Sequence, residues 1–252
     1  MYASHLILSA DRAALPRFDF PSETLTLESL FANQPTDKFA TGEAVFWEGD
    51  AASQVFQVAE GCLRLCSILP DGRRAIIGFV FAGEMLGLSC HGTYRYTAEV
   101  VAPARLRRLS RARLRAMEEG TEQLQSLLMA RVFEEMTAAQ QHIIVLGQLG
   151  AEERVAHFLI SAARRTGADQ KKPVTIELPM PRLDIADYLG LTIETVCRVL
   201  SKFKRDGLVA PRGRHALVLR QLSNLQDRAG EIDNDAPSER PVAVRSPAVW
   251  PA

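Results

Sequence analysis

Glu194 and Arg198 stand four residues apart within Met180 to Val209, MPRLDIADYLGLTIETVCRVLSKFKRDGLV. On a helix this spacing sets a carboxylate and a guanidinium one turn apart on the same face. In the major groove of DNA the carboxylate can accept from cytosine N4, and the guanidinium can grip guanine O6 and N7 bidentately. On an ordinary surface helix the same pair would be an exposed ion pair worth little. The surrounding residues favour base reading. Between Arg198 and Arg220 lie Lys202, Lys204, Arg205, Arg212 and Arg214, against Asp206 alone. That imbalance suits a surface that docks on phosphates.

The elements that must position this pair are legible around it. Arg182 to Leu189 is expected as a first helix, closed by Gly190 in a left-handed turn. Thr192 can cap a second. Along that second helix Ile193, Val196, Leu200 and Phe203 form an apolar face expected to pack on the domain. Glu194, Arg198, Ser201 and Arg205 lie opposite, with Cys197 on the flank. Leu208-Val209 and Ala216 to Arg220 flank Arg212-Gly213-Arg214 and suit a β wing. This is a winged helix-turn-helix, with Lys202, Arg205 and Arg214 as candidate phosphate contacts. Cys197 lies beside Arg198 one turn into the helix, a setting that favours thiolate and its oxidation. Added bulk and negative charge there would oppose DNA, so Cys197 is also a candidate redox residue.

Upstream, the apolar pattern from about Leu25 to Leu109 is short and alternating, with glycines at 42, 49, 61, 72 and 83. Such spacing predicts an antiparallel β-roll, and Leu69-Pro70-Asp71-Gly72 predicts a hairpin turn. Ser110 can cap a short helix over Arg111 to Met117. From Thr121 a helical stripe follows: Leu128, Val132, Met136, Ala139, Ile143 and Leu146. Ile143 to Leu146 is apolar all round, which predicts cover from two sides, the second being a partner's equivalent helix. Gly147 to Gly150 reads as a hinge, Ala151 to Arg165 as a helix and Val174 to Leu178 as a strand. The arginines from Arg105 to Arg115 are expected to be solvated.

These readings divide the chain into an N-terminal segment (1–24), a β-roll (25–118), a dimerisation helix (119–148), a winged helix-turn-helix (149–227) and a disordered tail (228–252), an α+β architecture. Lys plus Arg and Asp plus Glu are 30 each, so any DNA-binding charge must be local. No signal peptide or membrane span is read, and four scattered cysteines build no disulfide framework, which predicts a cytoplasmic chain. No catalytic constellation or metal spacing surrounds the five histidines.

The β-roll, the long helix and Glu194-Thr195-Val196-Cys197-Arg198 together resemble the Crp/Fnr family of bacterial transcription regulators, over about residues 25 to 225. The resemblance implies a homodimer that binds palindromic double-stranded DNA and activates transcription through RNA polymerase. Cyclic-AMP-binding members have Gly-Glu-x-x-Gly, present here as Gly83-Glu84-Met85-Leu86-Gly87, followed by an arginine pair that holds the phosphate. Tyr96 stands where that arginine belongs, with Arg95 on the opposite strand face, so no cyclic nucleotide is expected. Fnr proteins hold an iron–sulfur cluster on N-terminal cysteines; this chain has none before Cys62, and Cys62 and Cys66 read as core thiols. No cofactor is therefore expected, with His91 a weak candidate for haem.

In the cyclic-AMP regulators of that family an additional base-reading arginine stands where this chain has Ile193, while Fnr-like members have an apolar residue; the resemblance thus implies a TTGA-type half-site with Ile193 against a thymine methyl. Cys197 stands where Fnr-like proteins usually have a serine and some FixK proteins have a cysteine. These departures are most similar to the FixK branch, which controls microaerobic, denitrification or nitrogen-fixation genes. Two alternatives stay open: a β-roll responsive to a small ligand or haem, and a signalling module whose winged helix binds protein.

Overall fold

A computed structural model describes residues 26–88, 92–166 and 173–230; the expectations for the first 24 residues, His91 and most of the tail lie outside these. The first domain is a six-stranded antiparallel sheet rolled on itself. Its strands are β1 (Thr36–Phe39), β2 (Ala44–Phe46), β3 (Gln54–Ile68), β4 (Arg74–Phe81), β5 (Met85–Leu86) and β6 (Thr97–Ser110). The order is β1-β6-β3-β4, with β2 also on β6 and β5 also on β3. Strands β3 and β6 form the spine, and their register slips between Glu60 and Cys62. Gly61 makes that slip possible: its φ is +94°, and a Cβ there would lie 2.5 Å from the Pro103 carbonyl oxygen. The predicted hairpin closes through Gly72 N–H donating to Leu69 O at 2.9 Å.

Alternate residues of the roll point inward and pack on one another, among them Phe46, Phe56, Val58, Leu63, Leu86, Tyr94, Val100 and Leu106. Ser110 caps helix α1 (Arg111–Glu119), its hydroxyl accepting from Arg113 N–H at 3.3 Å. The helix runs two residues past the expected Met117. Helix α2 (Glu122–Gln148) follows, and a break at residues 149–150 turns the chain into α3 (Ala151–Arg164). Arg154 braces that break. Its guanidinium donates to the carbonyls of Leu146, Leu149 and Leu189, so the expected hinge is tied to the helix-turn-helix.

The C-terminal domain adds β7 (Val174–Glu177), α4 (Arg182–Leu189), α5 (Ile193–Arg205), β8 (Val209–Arg212), β9 (Ala216–Leu219) and α6 (Leu222–Arg228). Its sheet order is β7-β9-β8, so the wing carries β7 as a third strand. One core runs through this domain and onto the outer face of the roll, where Cys62, Cys66, Ile76 and Phe79 meet Phe158, Ile185 and Leu189. No helix among the described residues is long and apolar enough to cross a membrane.

One expectation about α2 needs correction. Leu128 is only 8% exposed and packs with Leu114, Met117 and Leu124 in its own protomer, so its side chain is spent inside the protomer rather than on the uncovered stripe. The uncovered apolar residues are Met129, Phe133, Met136, Ile143, Ile144 and Leu146. Of the expected stripe, Ala139 is exposed as well and Val132 is half-buried. Where Leu128 and Met129 are both apolar, periodicity cannot tell which one faces inward.

Candidate nucleic-acid interface

Gly190 closes α4 with φ +61°, a left-handed conformation that glycine adopts freely. Thr192 then caps α5, its Oγ1 accepting from Thr195 N–H at 3.3 Å. The same cap acts on the site. The backbone N–H of Glu194 itself, and then the Thr192 hydroxyl, hold the Glu194 carboxyl below the usual carboxylate range. At neutral pH it is therefore a hydrogen-bond acceptor only, the state that can accept from the N–H of an exocyclic amine.

Val196, Val199 and Phe203 form the buried face of α5, with Leu200 half-buried beside them. Ile193 was expected on that face and instead is 37% exposed, on the side where it was also expected to flank the base-reading pair. Val199 takes its place in the core. The sequence signal was there, because positions 196, 199 and 203 follow helical spacing as well as 193, 196, 200 and 203 do.

Glu194, Cys197, Arg198, Ser201 and Arg205 are all exposed on one side of the helix. Among the described residues neither Glu194 nor Arg198 enters an ion pair; the Arg198 guanidinium leans on Thr195 Oγ1 at 3.5 Å. Both groups keep their capacity for an external partner. Arg214 is exposed at the wing tip, where Gly213 turns with φ +69°. Arg212 reaches sideways to Thr175 Oγ1 at 3.2 Å. Lys202 is placed differently from the other phosphate candidates. Its ammonium lies 2.5 Å from Glu152 of α3, a carboxylate also approached by Arg228 at 3.5 Å. Lys204 is exposed and lines an open groove between α5 and the wing with Cys197, Ser201 and Pro211.

The roll offers a contrasting interior. Phe46 stacks on Tyr94 with ring centroids 3.6 Å apart, and the Tyr96 hydroxyl accepts from Gly87 N–H at 3.1 Å. A neutral phenol thus sits on the glycine-turn amide where the family resemblance calls for an arginine-held phosphate. Glu84 is turned away, accepting from Phe81 N–H at 2.9 Å and pairing with Arg165 at 3.3 Å. No guanidinium stands at position 96 to hold a cyclic phosphate. Arg111, expected to be solvated, is instead half-buried and donates to the carbonyls of Ala52, Gly87 and Leu88. It pins the glycine turn to the start of α1.

Cys62 and Cys66 are buried, as read. Burial pushes the Cys62 thiol up to about 12 and raises Cys66 too, so both stay protonated. They lie on one strand; the remaining cysteine among the described residues, Cys197, is exposed and far from them in sequence. No group of three or more His, Cys, Asp or Glu side chains that could hold a metal ion occurs among the described residues.

Comparison with known proteins agrees with this geometry. Residues 36–120 match the cyclic nucleotide-binding domain family, and residues 153–228 match the Crp-like helix-turn-helix domain family. The nitrogen fixation regulation protein FixK of Bradyrhizobium diazoefficiens is 38% identical over 68% of this chain and 73% of its own. The transcriptional activator protein FnrL of Cereibacter sphaeroides is 31% identical over 89% of this chain and 90% of its own. The solved structure of FixK2 from Bradyrhizobium japonicum superposes with a TM-score of 0.73 at 33% identity, covering 77% of this chain and 96% of that one.

Proposed function

The chain belongs to the Crp/Fnr family of DNA-binding transcription regulators, and from that premise we propose that it acts as a FixK-like regulator, binding a TTGA-type palindrome as a homodimer in the cytoplasm. It works without cyclic nucleotide or iron–sulfur cluster and activates transcription through RNA polymerase. The observation that carries this reading is the pair Glu194 and Arg198. Both are exposed, neither is spent in an ion pair among the described residues, and the opposite side of their helix is buried. Arg198 takes a guanine bidentately, Glu194 accepts from a cytosine amine, and the exposed methyls of Ile193 meet a thymine methyl. Arg205 and Arg214 take phosphates, with Lys202 contributing only when it leaves Glu152.

A gel-shift series tests the assignment. A duplex with two TTGA half-sites should be retained in preference to a TGTGA-type duplex and to a scrambled one, at constant salt. Equal retention of all three would overturn sequence reading and favour a protein partner for the winged helix.

A second reading concerns control, and rests on the exposure of Cys197 among base-reading side chains. Oxidation of its sulfur by peroxide would place an acidic group against the DNA backbone and block binding. Wild type and Cys197→Ser should then part after peroxide treatment, the variant keeping its affinity; equal inhibition removes the idea.

A further inference from the structure

A buried carboxylate joins the two domains. Asp184 lies on α4, the first helix of the helix-turn-helix, and its side chain is 2% exposed. Arg64 of β3 donates to its Oδ2 at 2.7 Å, and Arg74 of β4 to its Oδ1 at 2.7 Å. Both arginines are themselves held: Arg64 by Glu99 of β6 at 2.5 and 3.3 Å, Arg74 by Asp187 of α4 at 3.2 Å. Around this cluster the contact is apolar, with Phe79 of the roll edge-on to Tyr188 at 5.5 Å and to Phe158 at 6.3 Å.

An apolar contact by itself tolerates sliding, because dispersion and burial are non-directional. Two planar guanidinium groups gripping opposite oxygens of one carboxylate do not, since each hydrogen bond has a narrow range of direction. A buried ion cluster is also weak evidence for stability, because desolvating the charges offsets most of their attraction. Orientation is what such a cluster contributes. Here the oriented element is α4, and α5 packs directly on it.

In a two-fold dimer the distance and twist between the two reading helices follow from how each is set on its own roll. Each added base pair moves a half-site by about 3.4 Å and turns it by roughly a tenth of the helix, so a small reorientation selects a different spacer. We propose that Asp184 is a positioning residue, clamped by Arg64 and Arg74, that sets the half-site spacing this regulator selects. The inference rests on the palindrome reading above.

The experiment compares full-length wild type, Asp184→Asn and Arg74→Gln on duplexes with identical half-sites and spacers stepped by single base pairs. Single-half-site and scrambled duplexes, dimer content by sedimentation and thermal melting are measured alongside. Asp184→Asn is nearly isosteric and leaves Arg64 with Glu99 and Arg74 with Asp187. Arg74→Gln removes a partly exposed charge and decides the matter should the first variant fold poorly. Arg108→Gln, which breaks the exposed Arg108–Asp37 pair, serves as control.

Wild type and control should favour one spacer by about tenfold, and the two clamp variants by less than about threefold, while all four keep the same preference for the half-site over scrambled DNA. Unchanged spacer choice in folded clamp variants overturns the proposal. So does parallel loss of spacer and half-site preference, which is the signature of a merely structural role. A wild type with no half-site preference is a separate result, overturning the DNA-reading assignment itself.

Discussion

Helices α2 and α5 each sink one side into the protomer and leave the other side uncovered, yet the uncovered sides differ in kind. On α2 the free residues are Met129, Phe133, Met136, Ile143 and Ile144, with Ile143 69% exposed. On α5 they are Glu194, Cys197, Arg198, Ser201 and Arg205. An exposed apolar stripe of that length marks an interaction surface, and a second α2 is the self-complementary partner that the proposed two-fold dimer would supply. The polar side of α5 needs no cover, and its free donors and acceptor suit a hydrated, charged groove. The difference teaches that the two faces work at different strengths of consequence. Spoiling the first should remove the assembly, and spoiling the second should weaken or blur its hold on DNA while leaving the assembly intact.

The harshest way to break this comparison is Phe133→Glu. Two copies would place two carboxylates in the dimer seam, where burying each phenylalanine is worth roughly 1.5–3 kcal/mol. The dimer dissociation constant measured by sedimentation should rise at least about 100-fold on that basis, and palindrome binding should fail with it. A stable Phe133→Glu dimer would show that α2 is covered by something other than its own copy.

Arg198→Ala is gentler and sharpens the other side. It should cost about 1–3 kcal/mol on the preferred duplex and relax base choice at one position, leaving the dimer intact. Arg205→Ala should weaken all sequences alike and reduce the salt slope by about one phosphate contact. Lys202→Ala should do the same to a smaller extent, because Glu152 already shares that ammonium. A Lys202 variant with altered base preference would contradict the assignment.

The smallest expected effect is on pH. His142 of α2 and His157 of α3 lie at the joint between roll and winged helix, and His142 stacks on Tyr188 with centroids 4.1 Å apart. Burial, followed by His157 and Arg154 for the former and by Arg164 for the latter, holds both imidazoles below their ordinary range. The folded protein then binds fewer protons than the unfolded chain just below about pH 6.5, the ordinary imidazole value. Their contribution is complete above that pH and is lost as pH falls through the depressed values. The melting temperature should therefore drop between pH 7.5 and 5.5, less so in His142→Gln with His157→Gln. Parallel profiles for wild type and the double variant would exclude these two groups as the source.

Much of this was legible in the residues themselves. The cap Thr192, the turn at Gly190 and the exposed side of α5 depend on neighbours within a few positions, and local rules reach that far. The β-roll was read from alternation and turn spacing, and Tyr96 was singled out by motif. Other features escaped for identifiable reasons. Arg111 looked like one more surface arginine because the carbonyls it holds, on Ala52, Gly87 and Leu88, are distant in sequence. Leu128 and Met129 are both apolar, so only packing against α1 could decide between them. Ile193 and Val199 are equally apolar, and the domain beneath α5 chose Val199.

By itself the sequence determined the recognition helix, its cap, its turn and the chemistry of its free side, because each follows from dihedral preference and helical period. Tertiary structure alone decided which stripe of α2 stays uncovered, what fills the interior beside Gly87, and that Asp184 is buried between Arg64 and Arg74. Asp184 lies 120 positions from Arg64 and 110 from Arg74. No periodicity spans such a distance. Only the docking of the winged helix on the roll brings those charges within a hydrogen bond of one another, where the loss of water makes their directions matter.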